Sequence, residues 1–189
     1  REPFLKLLDA RLADADDDEL RVLASVARAT GAMADVAERA KSPDDRTAAP
    51  AWRLLALAAA PEGRAGLPAA LERPERRRAA LRLAGALGAR ETLSIVLPLI
   101  LDADPLVARE AAVAAAAMAT PTEASSLQGS LTADDAFVRV ATERFFAKFP
   151  ELGEPLGIGL TGSDQASARR RGVALLGRLG TTAAIARAG

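Results

Sequence analysis

The side chains able to do chemistry in this chain are few, and the arginines are the most ordered of them. Arg21, Arg78, Arg109, Arg139 and Arg169 recur in step, the last four spaced 31, 30 and 30 residues apart. Arg21, Arg109, Arg139 and Arg169 each follow an acidic residue by five positions (Asp16, Asp104, Asp134 and Asp164), while Arg73 fills the acidic slot ahead of Arg78. A row of guanidiniums can hold an anionic ligand, because each presents a planar fork of donors. One arginine per repeat also suits stapling of each repeat to its neighbours, and the regular spacing favours that structural role. The triplets Arg76-Arg77-Arg78 and Arg169-Arg170-Arg171 each contain one member of the row. Their other members, Arg76, Arg77, Arg170 and Arg171, are expected to face solvent, where they could meet an acidic partner.

Other chemistries find little material. With no histidine and no cysteine, the common nucleophile–base pairs, thiolate reactions and zinc sites are unavailable, and the remaining carboxylates show no pairing beyond helix caps. The expectation is a non-enzyme with no cofactor and no metal. Asp14, Asp16 and Asp18 begin like a calcium loop, but Glu19 and Ser25 stand where the sharp-turn glycine and the bidentate glutamate are needed. Gly157-Ile158-Gly159-Leu160-Thr161-Gly162 matches G-x-G-x-x-G as a string. It lies at the end of a helical hairpin, without the strand before it or the acidic residue after it that a dinucleotide site requires. Its small residues are expected instead to make room for Phe145 and Phe146, which replace the small residues of neighbouring units.

Formal net charge is zero, which removes the global electrostatic argument for nucleic acid or an anionic membrane surface. Charge is banded instead: residues 1–45 carry 7 basic and 11 acidic groups, 62–90 carry 7 and 3, 91–163 carry 4 and 10, and 164–189 carry 5 and 1. No apolar run is long enough to span a bilayer. The compartment is not set by composition, the cytoplasm being the favoured one. The start at Arg1 and the stop within helical pattern suggest a segment of a longer chain.

The elements that must position these residues follow from period and punctuation. Each unit reads as an acidic or proline turn, a first helix of about four turns, a break, and a shorter second helix. Asp104-Pro105 and Arg73-Pro74 open first helices with proline at the first helical position, and Gly31, Gly88 and Gly180 stand where such helices stop. First helices are expected at 17–29, 45–60, 74–88, 105–119, 135–148 and 165–179. Second helices are expected at 32–41, 62–71, 91–101, 122–132 and 152–161, with a truncated one from 182. The period near 30 then predicts an all-α, right-handed α-solenoid of about six helical hairpins forming one domain over 1–189. Its parts are an orphan helix in 1–15, repeats 16–43, 44–72, 73–103, 104–133 and 134–163, and a truncated repeat 164–189.

The runs Asp135-Ala136-Phe137-Val138-Arg139-Val140-Ala141 and Arg78-Ala79-Ala80-Leu81 through Leu87-Gly88 resemble HEAT repeats, in particular the short bacterial type related to phycobilisome-lyase repeats. The likeness covers roughly 16–189 and is weakest over 44–71, where Ala49 replaces the phased arginine. It implies a ladder of hydrogen bonds and ion pairs formed by Asp104, Asp134 and Asp164 with Arg78, Arg109, Arg139 and Arg169. Solenoids expose a long surface whose second helices are free to vary, so the expected role is a scaffold or adaptor binding a protein or peptide. Ser94, Ser125, Gln128 and Glu154 are candidate contacts. The repeat type also suggests an accessory subunit of a bilin lyase-like complex. Nucleic-acid binding is the least favoured role, for want of a basic, aromatic-lined groove.

Overall fold

A computed structural model describes residues 2–180, and within them the chain is all-α and of the α-solenoid class, built from helical hairpins. After α1 (Glu2–Arg11), the first helices are α2 (Asp17–Ala29), α4 (Asp45–Leu57), α6 (Pro74–Leu87), α8 (Pro105–Met118), α10 (Ala136–Lys148) and α12 (Ala166–Leu179). Their N-caps, Asp16, Asp44, Arg73, Asp104, Asp135 and Gln165, are 28, 29, 31, 31 and 30 residues apart. Four of the caps are aspartates that accept backbone N–H groups of the first turn: Asp16 from Glu19, Asp44 from Arg46, Asp104 from Leu106, and Asp135 from Phe137 and Val138. Each thereby satisfies donors that have no partner within the helix.

The second helices are α3 (Met33–Ala40), α5 (Leu67–Glu72), α7 (Leu93–Val96), α9 (Ala124–Gln128) and α11 (Pro150–Thr161). The middle three are short because 3-10 turns flank them: Pro61–Gly66 before α5, Arg90–Thr92 and Leu97–Leu101 around α7, and Pro121–Glu123 and Gly129–Thr132 around α9. Pro98 lies inside its segment and removes a backbone donor that a continuous α-helix would use, whereas Pro61 and Pro121 open theirs at the first position, where the donor is not needed. The expected single helices at 62–71, 91–101 and 122–132 are therefore mixed segments. The truncated helix expected from 182 lies outside the described residues.

The chain divides into two compact units at Val96–Leu97, within the second half of the 73–103 repeat. In the first unit, Trp52 is buried and its indole N–H donates to Ala40 O at 3.0 Å. A Cβ on Gly66 would come within 3.1 Å of the ring, so glycine permits the turn to lie against it. Arg76, on the first turn of α6, is 8% exposed. Its Nε donates to Asp45 Oδ1 at 2.5 Å and one terminal nitrogen to Ser42 O at 2.9 Å. This corrects the expectation that Arg76 faces solvent: three residues beyond the cap, it points back into the α3–α4 turn and ties α6 to it.

In the second unit, Phe145 and Phe146 are fully buried, with ring centroids 5.0 Å apart in an edge-to-face arrangement. The glycines of α11 serve a neighbour other than the expected one. A Cβ on Gly157 would approach Leu176 to 2.8 Å, and one on Gly172 would lie 2.7 Å from Gly157 O and Thr161 N. Gly153 alone meets the phenylalanine segment, through Phe146 O at 2.8 Å. The small residues thus bring α11 and α12 together backbone to backbone.

Two sets of stability measurements follow. Gly172→Ala places a methyl group against backbone that cannot yield and should destabilise the protein by about 1–3 kcal/mol. Gly177→Ala lies in open helix with nothing within 4 Å and should stabilise by up to about 1 kcal/mol. Urea melts should show midpoints moving in opposite directions. In the same assay Arg76→Ala should cost about 3 kcal/mol, the lower end of the range for breaking a buried pair because Asp45 is partly exposed. Arg170→Ala, which removes an exposed side chain, should change stability by no more than about 0.5 kcal/mol.

Candidate protein-binding face of the first helices

Counted from the N-caps, the arginines of the first helices form two rows, not one. Arg77, Arg139 and Arg169 each stand four residues after a cap, and each folds back on the turn before its own helix. Arg77 donates to Leu71 O and Glu72 O, Arg139 to Ala133 O and Asp134 O, and Arg169 to Ser163 O and Asp164 O. Arg21, Arg78, Arg109 and Arg170 stand five residues after a cap, one-quarter turn further round the helix. Arg109 uses that direction to reach forward, its Nε donating at 2.7 Å to Asp135 Oδ2, the cap of the next first helix.

The expected ladder is accordingly rearranged. Asp104 caps α8, while Asp134 and Asp164 contribute backbone carbonyls, and the carboxylate that pairs with Arg109 belongs to Asp135. Arg78 keeps an Nε that is shielded from solvent and has no hydrogen-bond partner. Arg171 shares that state, Arg77 is half-buried, and Arg170 is exposed with its Nε 3.4 Å from Ala166 O. Ser94, Ser125 and Gln128 are exposed on or beside their short second helices, and Glu154 is half-buried on α11.

Of the nine exposed large apolar side chains among the described residues, seven lie on the first helices, the others being Leu7 on α1 and Leu101 in the turn after α7. Val22, Val26, Leu57, Leu106, Val113, Phe137 and Val173 are those seven. Phe137 is the outstanding case, because it is 63% exposed while Trp52, Phe145 and Phe146 are buried. Its position is set by the α10 cap: the second helical residue points outward beside α8. There the Arg109 guanidinium lies 4.6 Å from the ring centroid, a favourable cation–π distance. Asp135 accepts a hydrogen bond from the same guanidinium. Val113, Ala136, Phe137, Val140, Ala141 and Arg144 line a groove of about 410 Å³ along α8 and α10. The contacts expected from the sequence lie on second helices and in the arginine triplets of two first helices, and Phe137 is not among them. Its signal was an aromatic residue two places after a capping aspartate, where a helix has no inward-facing position to offer.

The same geometry acts on Asp135. The hydrogen bond from Arg109 is the main cause that holds its carboxyl below the usual carboxylate range, and the N–H groups of Val138 and Phe137 add to it. A carboxylate whose folded value is lowered contributes stability above the ordinary aspartate range and loses it as pH falls through the lowered value. In a carbon-13 titration Asp135 should therefore titrate below unpaired aspartates. Arg109→Gln should raise it while leaving it short of the ordinary value, because the two backbone donors remain. An unchanged Asp135 titration in that variant would show that the pair is not formed in solution.

Comparison with known proteins agrees with the repeat architecture. Residues 67–144 match the family described as HEAT repeats, a stretch that spans repeats of both units. No curated protein matches the sequence. Among solved structures, an engineered protein known from a crystal structure is similar over 95% of this chain and 96% of its own, with a TM-score of 0.66 at 18% identity. A designed armadillo repeat protein is similar over 89% of each chain, with a TM-score of 0.60 at 16% identity. At these identities the likeness is one of fold: the chain is a helical-repeat solenoid, with HEAT repeats matched over 67–144.

Proposed function

We propose that this chain is a non-enzymatic scaffold or adaptor module that binds a protein or peptide partner through the outer face of its first helices. The observation that supports this reading is Phe137, an outward aromatic ring fixed by Arg109 and flanked by Val113 and Val140. Single exposed apolar residues are ordinary on protein surfaces. A ring held in one orientation and bordered by other apolar groups is different, since its ordering cost is met before a partner arrives. Aromatic anchors of this kind dominate interface energies, and arginines are enriched beside them. Arg109 and Arg144 would favour a partner with acidic groups around an apolar centre.

The second-helix residues Ser94, Ser125, Gln128 and Glu154, with Arg170 and Arg171, remain proposed peripheral contacts. The alternative is an accessory subunit of a bilin lyase-like complex, which an absorbance change on mixing with bilins would favour.

Affinity purification with the intact protein tests the main reading. Phe137→Ser should weaken a captured partner by about 2 kcal/mol, or roughly thirtyfold, with the helical circular dichroism unchanged. Equal capture by the variant would remove the first-helix face from the proposal. Loss on Ser125→Ala combined with Gln128→Ala would move the site to the second helices.

A further inference from the structure

A second groove lies in the first unit, on the outer sides of α2, α4 and α6, and its lining is of another kind. It has a volume of about 350 Å³ and brings together Arg21, Arg53, Arg78 and Arg82 with only two carboxylates, Asp17 and Glu75. These six side chains sum to +2, and to +1 when Asp18, which pairs with Arg21 from beside the groove, is counted with them, in a protein of zero net charge. The arginines come from three helices, and the caps explain why they meet: Arg21 and Arg78 occupy the same position after their caps, so they project in the same direction.

Arg21 is paired with Asp18, but the states of Arg53 and Arg78 leave the groove open to a further acidic group. Arg53 donates to Asp17 Oδ1 at 2.5 Å, yet the two side chains are 44% and 64% exposed; such a surface pair is worth little and exchanges readily. Arg53 is the main cause that holds the Asp17 carboxyl below its usual range, with Arg21 and Arg82 acting on it as well. One carboxylate thus sits in the field of three guanidiniums. Arg78, the fourth, has its Nε buried and without a hydrogen-bond partner in the protein, a donor left for water or an incoming acceptor to complete.

We propose that this groove binds an acidic segment of a partner protein, with aspartate or glutamate side chains taking the place that Asp17 holds in the free protein. Arginines spread over three helices, instead of converging on one point, suit carboxylates strung along a peptide. The contact already made by Asp17 is the kind of contact the partner would make. Protein as the source of the acidic groups rests on the scaffold reading above, but the site shares no residue with the Phe137 groove, so either can fail alone.

The test is fluorescence anisotropy with the full chain and a labelled peptide rich in aspartate and glutamate. Binding should be present at low salt and weaken as salt is raised. Arg78→Gln and Arg53→Gln should each weaken it by about tenfold, the loss of one charge-assisted hydrogen bond. Asp17→Asn should tighten it, because the internal competitor is removed; a residue with only a structural role would not do so. Phe137→Ser should leave it unchanged. Absence of binding at low salt, indifference to both arginine variants, or failure of Asp17→Asn to tighten would each overturn the proposal. Displacement by inorganic phosphate at concentrations no higher than that of the acidic peptide would overturn the peptide assignment.

Discussion

The start of each first helix is the constraint on which the rest of this structure depends. An α-helix turns its side chains by about 100° per residue, so the residue that caps it decides the direction of every side chain that follows. With caps at Asp16, Asp44, Arg73, Asp104, Asp135 and Gln165, the third position reaches inward at Arg76. The fourth folds back at Arg77, Arg139 and Arg169, and the fifth reaches across to the next cap at Arg109. The chemistry of all these side chains is the same. Their different roles, core staple, turn clamp and surface contact, come from one or two residues of phase.

Packing makes that phase consequential. The first helices are rich in alanine: on α8 alone Ala108, Ala111, Ala112, Ala114, Ala115 and Ala116 are buried. Small side chains let helices approach closely, and the cost is that each contact contributes modest area. Larger groups therefore stand at defined points: Trp52 beneath the glycines of the following turn in one unit, Phe145 and Phe146 in the other. Between α11 and α12 the approach is so close that glycine is required on both sides. Polar ties supplement these cores, as where Arg178 reaches Glu143 at 2.6 Å and Lys148 reaches Ala116 O at 2.9 Å.

Function follows from what this packing leaves outside. Stacking uses the flanks of each first helix, and its outer side remains free to carry residues that no neighbour needs. In one unit that side presents an aromatic ring braced by arginine, and in the other a groove with an excess of guanidinium. In the proposed function an apolar anchor and a cationic groove are complementary means of recognition: the first would supply affinity through buried area, the second would select and steer an acidic chain.

Helix, repeat and hairpin were legible in the sequence because they depend on local rules: proline and aspartate at helix starts, glycine in the left-handed conformation at Gly31, Gly88 and Gly180, and an apolar period near 3.6. The first helices accordingly lie within a few residues of their expected bounds. The partners of the arginines were not legible. Arg78, Arg109, Arg139 and Arg169 look like one series by spacing, yet they belong to two rows, because α10 and α12 each begin one residue later than the position of Asp134 and Asp164 suggests. A shift of one residue is negligible for helix content and decisive for direction. The sequence by itself determined that hairpins repeat; only the tertiary structure decided which atoms meet, since burial of Arg76, bracing of Phe137 and the gathering of Arg21, Arg53, Arg78 and Arg82 each depend on residues from different helices.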